Sequence, residues 1–197
     1  MKSNQKKTAI IKTAIRCVAQ YGTEGASADV IARKMGIAQS GIFYYFPKQE
    51  ALFDSLLGYI AQVNHEIAMK YFGEMKLNTM RERLTGHVTA NLIWANKHPD
   101  HISVLLLSMA KTGRSRLMRE RVNHLFQVGE DRIYSILQEG VAQGEFHSSG
   151  DLRDLAVFIH KALGGSILSF YYSRHLRSVE YYQNILSGQI AQLLKNP

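Results

Sequence analysis

The sequence predicts an all-α protein. Apolar residues recur at helical spacing along the 197-residue chain, no stretch alternates as a strand does, and only three prolines interrupt the pattern. Hydrophobic residues make up 46% of the chain and charged residues 20%, which is enough apolar material for a sizeable core. The single cysteine, Cys17, excludes a disulfide framework and any cysteine-based zinc site.

Three short helices are predicted first. The first covers about residues 6–21 and ends at Gly22, since glycine readily takes the left-handed conformation after a helix. Ser27 is a natural N-cap for the second helix, which ends at Gly36. The third covers residues 38–46 and is closed by the proline that follows, because the residue before a proline avoids helical geometry.

Six further helices are predicted after them. Their approximate ranges are residues 48–73, 80–97, 101–111, 115–142, 151–174 and 178–194. The expected architecture is about nine helices: a three-helix helix-turn-helix domain over residues 1–47 and a larger helical domain over residues 48–197. No apolar run approaches the roughly 18 residues that span a bilayer, and the N-terminus reads as an amphipathic helix rather than an export signal. We therefore expect a cytoplasmic protein with no membrane partner.

The positive charge is concentrated near the N-terminus. The formal net charge is +8, and residues 1–50 hold eight Lys and Arg against three Asp and Glu, a net +5. A basic first segment favours a nucleic acid as partner. An ordinary solvated lysine-rich face is the alternative.

The predicted second and third helices form a helix-turn-helix, with its tight turn at Gly36. In such a unit the second helix can enter the DNA major groove, which is about 12 Å wide. The first residues of that helix are small or polar, and they allow a close approach to base edges and phosphates: Ala38, Gln39, Ser40 and Gly41. Ile42 and Phe46 are expected to point the other way, into a small core.

A set of residues at fixed spacings covers this region: Tyr21-Gly22, Ser27, Ile31-Ala32, Gly36-Ile37, Phe43-Tyr44-Tyr45-Phe46 and Gln49-Glu50-Ala51-Leu52. Over about residues 8–56 this set resembles the N-terminal pattern of the TetR family of transcriptional regulators. The chain departs from that pattern in four places. Ala38 and Phe43 lack the hydroxyls of the family's usual serine and tyrosine, and Ser40 stands where glycine is frequent. Gln49 replaces a phosphate-contacting lysine, whose role Lys48 can take.

The resemblance and the side-chain chemistry together imply a set of DNA contacts: Ser27, Ala28, Ala38, Gln39, Ser40, Gly41, Tyr44, Tyr45 and Lys48. Ser27 would offer its backbone N–H to a phosphate, and Lys48 would neutralise one. Gln39 and Ser40 are the candidates for base edges, since glutamine can pair bidentately with adenine. The two tyrosines would stack on the DNA backbone or a thymine methyl. Packing within the domain is the alternative for Tyr45, and a solvated side chain is the alternative for Gln39.

One such domain reads only a few base pairs, so we expect a homodimer on a palindromic operator, with half-sites about 34–36 Å apart or a multiple of that. In the family the last two helices form a four-helix bundle with the partner. The corresponding interface here is Leu155, Ile159, Leu163, Gly165, Ile167, Phe170, Tyr182, Ile185, Gln189 and Leu193. Part of each stripe must belong to the core of the chain itself.

The resemblance also implies an effector-binding core between residues 55 and 145. Apolar residues there could line a largely apolar pocket: Met69, Phe72, Trp94, Leu105, Met109, Leu125, Phe126, Ile133 and Tyr134. Ordinary core packing is the alternative for each. The basic run from Lys111 to Arg121 could receive an anionic ligand tail or form a solvated face.

The implied function is a ligand-responsive transcriptional repressor, bound to double-stranded operator DNA and released by a small-molecule effector. No catalytic arrangement stands out, and the one histidine cluster, around His98 and His101, lies at a proline-marked break. We therefore expect no enzyme activity, metal or cofactor. Two alternatives remain: a helical enzyme or binding protein whose helix-turn-helix is a structural corner, and a sequence-indifferent DNA-binding protein.

Overall fold

A computed structural model describes residues 2–25, 27–113, 115–148, 150–173 and 175–194. These residues form nine α-helices and contain no strand. The helices are α1 Lys2–Gly25, α2 Ala28–Met35, α3 Gln39–Tyr45, α4 Gln49–Glu74, α5 Met80–Lys97, α6 Pro99–Lys111, α7 Arg116–Ala142, α8 Leu152–Ser173 and α9 Val179–Leu193. The predicted all-α fold is confirmed.

Short-range signals in the sequence account for several helix ends. Ser27 precedes α2 in an extended conformation, and Gly36 ends that helix with a left-handed φ of 65°. Thr79 and Glu82 form a reciprocal capping box at the start of α5. Gly22, with φ 74° and ψ 175°, interrupts the helical geometry of α1 where the sequence predicted an end.

Two helices begin earlier than the sequence predicted. The first already starts at Lys2, and α6 starts at Pro99 rather than at residue 101. Proline suits the first turn of a helix, because its missing N–H would have no partner within the helix there. The predicted break at His98-Pro99 is therefore only the junction between α5 and α6.

The chain divides into two compact units. The first unit comprises Met1–Val63 and Pro99–Val122, and the second comprises Asn64–His98 and Asn123–Pro197. In the first unit α1 packs on α6 and α2, and α2 packs on α3; in the second, α5 and α9 pack on each other and on α8. The helix-turn-helix thus shares its unit with α6 and the first part of α7. The domain boundary after residue 47 stays a prediction.

By length and composition α8 could cross a membrane, and it is the only such helix among the residues that the structure describes. A helix that buries one apolar face within its own chain and exposes another passes the same test. In α8, Ile159 and Leu163 are buried, whereas Phe158 and Leu168 are exposed. Two apolar faces therefore account for its composition.

Candidate nucleic-acid interface

Helices α2 and α3 pack on each other through a small apolar core. Ile31 and Ala32 of α2 are buried, and so are Ile42 of α3 and Phe46 directly after it. The backbone N–H of Ile37 in the turn donates to the C=O of Ala32 at 3.0 Å. The predicted inner face of α3 is therefore confirmed, and it fixes which side of the helix faces outward.

The start of α3 lies on the outside of the unit. Ala38, Gln39 and Ser40 are exposed, and Gly41 is half-buried. Ala38 precedes the helix in an extended conformation (φ −68°, ψ 148°) and contributes no side-chain cap, as its missing hydroxyl predicts. Small and polar groups at this end of α3 are thus accessible to a large partner.

Aromatic and basic side chains follow at the other end of α3. The ring of Tyr44 is exposed and contacts that of the half-buried Tyr45 edge to face, with centroids 5.0 Å apart. The exposed Lys48 directly precedes α4, and its C=O accepts a helical hydrogen bond from the N–H of Leu52 at 3.3 Å. Tyr44 and Lys48 are available to a partner, whereas Tyr45 is partly buried within the unit and partly exposed to solvent.

The start of α2 brings Ser27 and Ala28, both half-buried, into the same unit. The Ser27 hydroxyl oxygen accepts the N–H of Val30 at 3.3 Å, which confirms the predicted cap. At the other end of α2, the Lys34 ammonium lies 5.5 Å from the centroid of the Tyr21 ring. Tyr21 is 46% exposed. These two exposed side chains were not among the predicted contacts.

Residues 10–56, which include α2, α3 and most of α1, match the family described as bacterial regulatory proteins, tetR family. This segment therefore carries the N-terminal domain of the TetR family. The resemblance predicted from the sequence is confirmed, and with it the assignment to transcription regulation through a DNA-binding helix-turn-helix.

Relatives extend the likeness to the rest of the chain. Nucleoid occlusion factor SlmA of Vibrio campbellii is 24% identical to it, over 95% of this chain and 99% of the relative. A protein from Saccharomonospora viridis, solved in complex with choline, has a TM-score of 0.83 at 20% identity and covers 98% of this chain and 100% of its own. FadR from Bacillus subtilis, solved with stearoyl-CoA, has a TM-score of 0.78 at 17% identity, with 95% and 99% covered. At these identities the likeness of the two structures to this chain shows a common fold and no more.

The residues predicted for a dimer interface differ in burial. The exposed members are Gly165, Ile185, Gln189 and Leu193, and the half-buried ones are Leu155 and Ile167. The buried members are Ile159, Leu163, Phe170 and Tyr182. Because α8 and α9 pack on each other and on α5, these four belong to the core of the second unit, the alternative that the sequence left open.

Three exposed large side chains of α8 were missing from the predicted interface. Phe158, Leu168 and Tyr172 are 58%, 42% and 66% exposed, and Gly165 lies between them. Spacings of seven, three and four residues place all four on one side of a helix. On α9, Ile185 is exposed as well. We call Phe158, Gly165, Leu168 and Tyr172, together with Ile185, the outer stripe.

The residues predicted for an effector pocket fall in both units. Leu105 and Met109 belong to the first unit, and the second contains Met69, Phe72, Trp94, Leu125, Phe126, Ile133 and Tyr134. Trp94 and Ile133 are buried, whereas Met69 is 56% exposed. The ordinary core packing that the sequence allowed therefore applies to Trp94 and Ile133, and the apolar pocket stays a prediction.

One groove in the second unit includes Phe126 from that set. It has a volume of about 440 Å³, and its other lining residues are polar or charged: Asn123, Gln127, Glu130, Asp131, Arg153 and Lys161. The Lys161 ammonium lies 2.7 Å from a Glu130 carboxylate oxygen, and Arg153 pairs with Asp131 at 2.5 Å. The groove is thus polar, with its charges paired internally, and differs from the largely apolar pocket predicted.

Proposed function

We propose that this protein is a repressor that binds a palindromic operator as a homodimer and releases it when a small molecule binds. The observation that carries the proposal is the two-sided character of α3. Its inner side is fixed by buried Ile42 and followed by buried Phe46, while Gln39 and Ser40 are exposed. A short helix anchored in this way presents polar side chains to base edges in a major groove.

The contacts divide into base reading and phosphate binding. Gln39 and Ser40 carry hydrogen-bonding groups at the exposed start of α3, so they are the residues that read bases. Tyr44 lies near the other end of α3 and Lys48 follows that end, and both contact the sugar-phosphate backbone. Phosphate contacts position the protein, and base contacts give the sequence preference.

The outer stripe supports the homodimer. Large apolar side chains such as Phe158, Leu168 and Tyr172 are more exposed than a chain that stays alone normally tolerates in one patch. Gly165 within the stripe has nothing near the position of a Cβ, which leaves room for a close approach of helices. A second copy of the same stripe is the partner expected for a two-fold symmetric protein on a palindrome.

Release by a small molecule is supported by structures with the same fold that hold choline and stearoyl-CoA. These two compounds are therefore the first probes to test. An effector with a coupling of about 1–3 kcal/mol would weaken operator binding roughly 5- to 150-fold.

DNA binding tests the central part of the proposal. Fluorescence anisotropy should measure affinity for the palindrome nearest the gene and for a scrambled duplex, at several salt concentrations. Gln39→Ala should reduce the preference between the two duplexes, whereas Lys48→Ala should weaken binding to both and flatten the salt dependence. Gln127→Ala and Lys70→Ala, exposed positions of the second unit, are the matched controls. Equal losses on every DNA for both variants would contradict the assigned division.

Light scattering tests the dimer. Leu168→Glu places a charge in the outer stripe and should yield monomers, and Gly165→Trp should do the same through steric bulk. Val141→Glu, at a 39% exposed position of α7, is the control and should leave the dimer intact. A dimer that persists in both stripe variants would place the interface elsewhere.

A sequence-indifferent DNA-binding protein is the second candidate. A relative that the chain matches over 99% of its length is named a nucleoid occlusion factor, and a protein that acts at the nucleoid meets DNA of many sequences. The anisotropy experiment separates the two, because a sequence-indifferent binder would show little preference for the palindrome over the scrambled duplex.

A further inference from the structure

The two units differ sharply in charge. The first unit, Met1–Val63 with Pro99–Val122, has thirteen Lys and Arg against six Asp and Glu, a formal charge of +7. The second unit has eleven against ten, a charge of +1. The excess of the first unit has two sources, because residues 99–122 alone contribute five basic against two acidic residues, a net +3. The helix-turn-helix therefore shares its unit with a second basic segment.

The side chains of that second segment are anchored next to the start of α4. Arg121 forms an ion pair with Asp54 on α4. The Lys111 ammonium lies 5.6 Å from the centroid of the Phe53 ring, on the same helix. At a rise of about 1.5 Å per residue, Asp54 is only about 9 Å along the helix from Lys48. The segment is thus close to the residue that the proposed function places on a DNA phosphate.

Three basic side chains of the segment retain positive charge for a partner. Arg116 pairs with Glu120, but the two side chains are 87% and 57% exposed, and such surface pairs rearrange at little cost. Arg119 is exposed. Among the basic residues between 111 and 121 that the structure describes, only Arg116 and Arg121 form ion pairs. Lys111 contacts an aromatic ring rather than a carboxylate. We call Lys111, Arg116 and Arg119 the second basic surface.

We infer that the second basic surface binds the backbone of the DNA that flanks the half-site contacted by α3. Asp54, where the segment is anchored, lies about 9 Å along the helix from Lys48, which is close to one Debye length at 0.1 M salt, about 10 Å, so the field of phosphates near Lys48 extends to that anchor. DNA is favoured over an anionic effector because the surface belongs to the helix-turn-helix unit. The inference rests on the proposed DNA binding and extends its footprint beyond the helix-turn-helix.

The test is the salt dependence of binding by the double variant Arg116→Gln/Arg119→Gln. Each lost phosphate contact lowers the slope of log affinity against log salt by about 0.9. The magnitude of the slope should therefore fall by about 1–2 in the double variant, and its deficit in affinity relative to wild type should be about 4- to 16-fold larger at 50 mM than at 200 mM salt. The control is Lys70→Gln/Arg83→Gln, because Lys70 and Arg83 are half-exposed or more and paired with carboxylates in the second unit. Circular dichroism checks that both double variants fold.

Two DNA lengths make the test specific to the flank. On a duplex extending about ten base pairs beyond the palindrome, the double variant should show the reduced slope; on a duplex trimmed to the palindrome, the difference should shrink. An unchanged slope, a loss equal to that of the control, or an equal loss on both duplexes would overturn the inference. So would a double variant that binds DNA normally but no longer responds to stearoyl-CoA, since the surface would then serve an effector. If Lys48→Ala also leaves binding and slope unchanged, the proposed function fails as well; if only the double variant is silent, this inference alone fails.

Discussion

Burial of His87 makes the stability of the second unit depend on pH. The side chain lies on α5 and is 5% exposed. Burial lowers its pKa from 6.5 to about 4, and the nearby charges of Arg132 and His160 act in the same direction. The side-chain amide nitrogen of Asn91 lies 3.4 Å from Nε2 of His87, a partner suited to a neutral ring that accepts there. The folded protein therefore holds this imidazole uncharged.

The magnitude follows from the two pKa values. An unfolded chain binds a proton at His87 below about pH 6.5, whereas the folded chain does so only near its folded pKa of about 4. The contribution of His87 to stability is therefore fully present above its pKa in the unfolded chain, and it is lost as the pH falls toward its pKa in the folded chain. The full difference corresponds to about 3 kcal/mol, of which about 2 kcal/mol is lost between about pH 7 and about pH 5. His160, whose pKa burial also lowers, contributes with the same sign.

Urea unfolding followed by circular dichroism at these two pH values measures the effect. His87→Gln removes the titrating group and keeps a polar side chain, so its unfolding free energy should fall by about 2 kcal/mol less than that of wild type between the two pH values. His147→Gln, at an exposed position, is the control for general effects of the substitution. The contributions of carboxylates are common to all three proteins and cancel in the comparison. Equal pH dependence in wild type and His87→Gln would refute the reasoning.

Two glycines give further predictions. Gly36→Ala should lower the unfolding free energy by about 1–2 kcal/mol and weaken DNA binding, because φ is 65° at that position. Gly140→Ala should also destabilise the protein, since a Cβ there would lie 2.1 Å from Cδ2 of the buried Phe146 ring. Gly58→Ala, inside α4 with nothing within 4 Å, is the control for both and should raise the unfolding free energy by about 0.5–1 kcal/mol. Thermal and urea unfolding measure these changes, and equal unfolding free energies for all three variants would contradict the predictions.

The helix-turn-helix could be predicted from the sequence because its signals are local. Ser27 and Gly36 bound α2 through hydrogen bonding and backbone conformation that depend on neighbouring residues alone. In α3 the small and polar residues at its start mark the exposed side, and Ile42 marks the buried side. The predicted inner and outer sides of α3 were therefore correct without knowledge of the rest of the fold.

The large exposed side chains of the outer stripe and the grouping of α6 could not be predicted in the same way. Apolar residues lie on both sides of α8, so spacing alone could not show that Ile159 faces the core and Phe158 faces solvent. The packing of α6 on α1 joins residues about ninety positions apart, and no local signal records it. The residues of the predicted effector pocket belong to both units, as Leu105 and Trp94 do, and the pocket stays a prediction.

The most direct test of the central claim is the ratio of affinities for the palindromic operator and for scrambled DNA of equal length and charge. We expect a ratio of about 10³ or more for the wild-type protein, and a much smaller one for Gln39→Ala. A wild-type ratio near one, with tight binding to both duplexes, would contradict the claim that the exposed start of α3 reads bases.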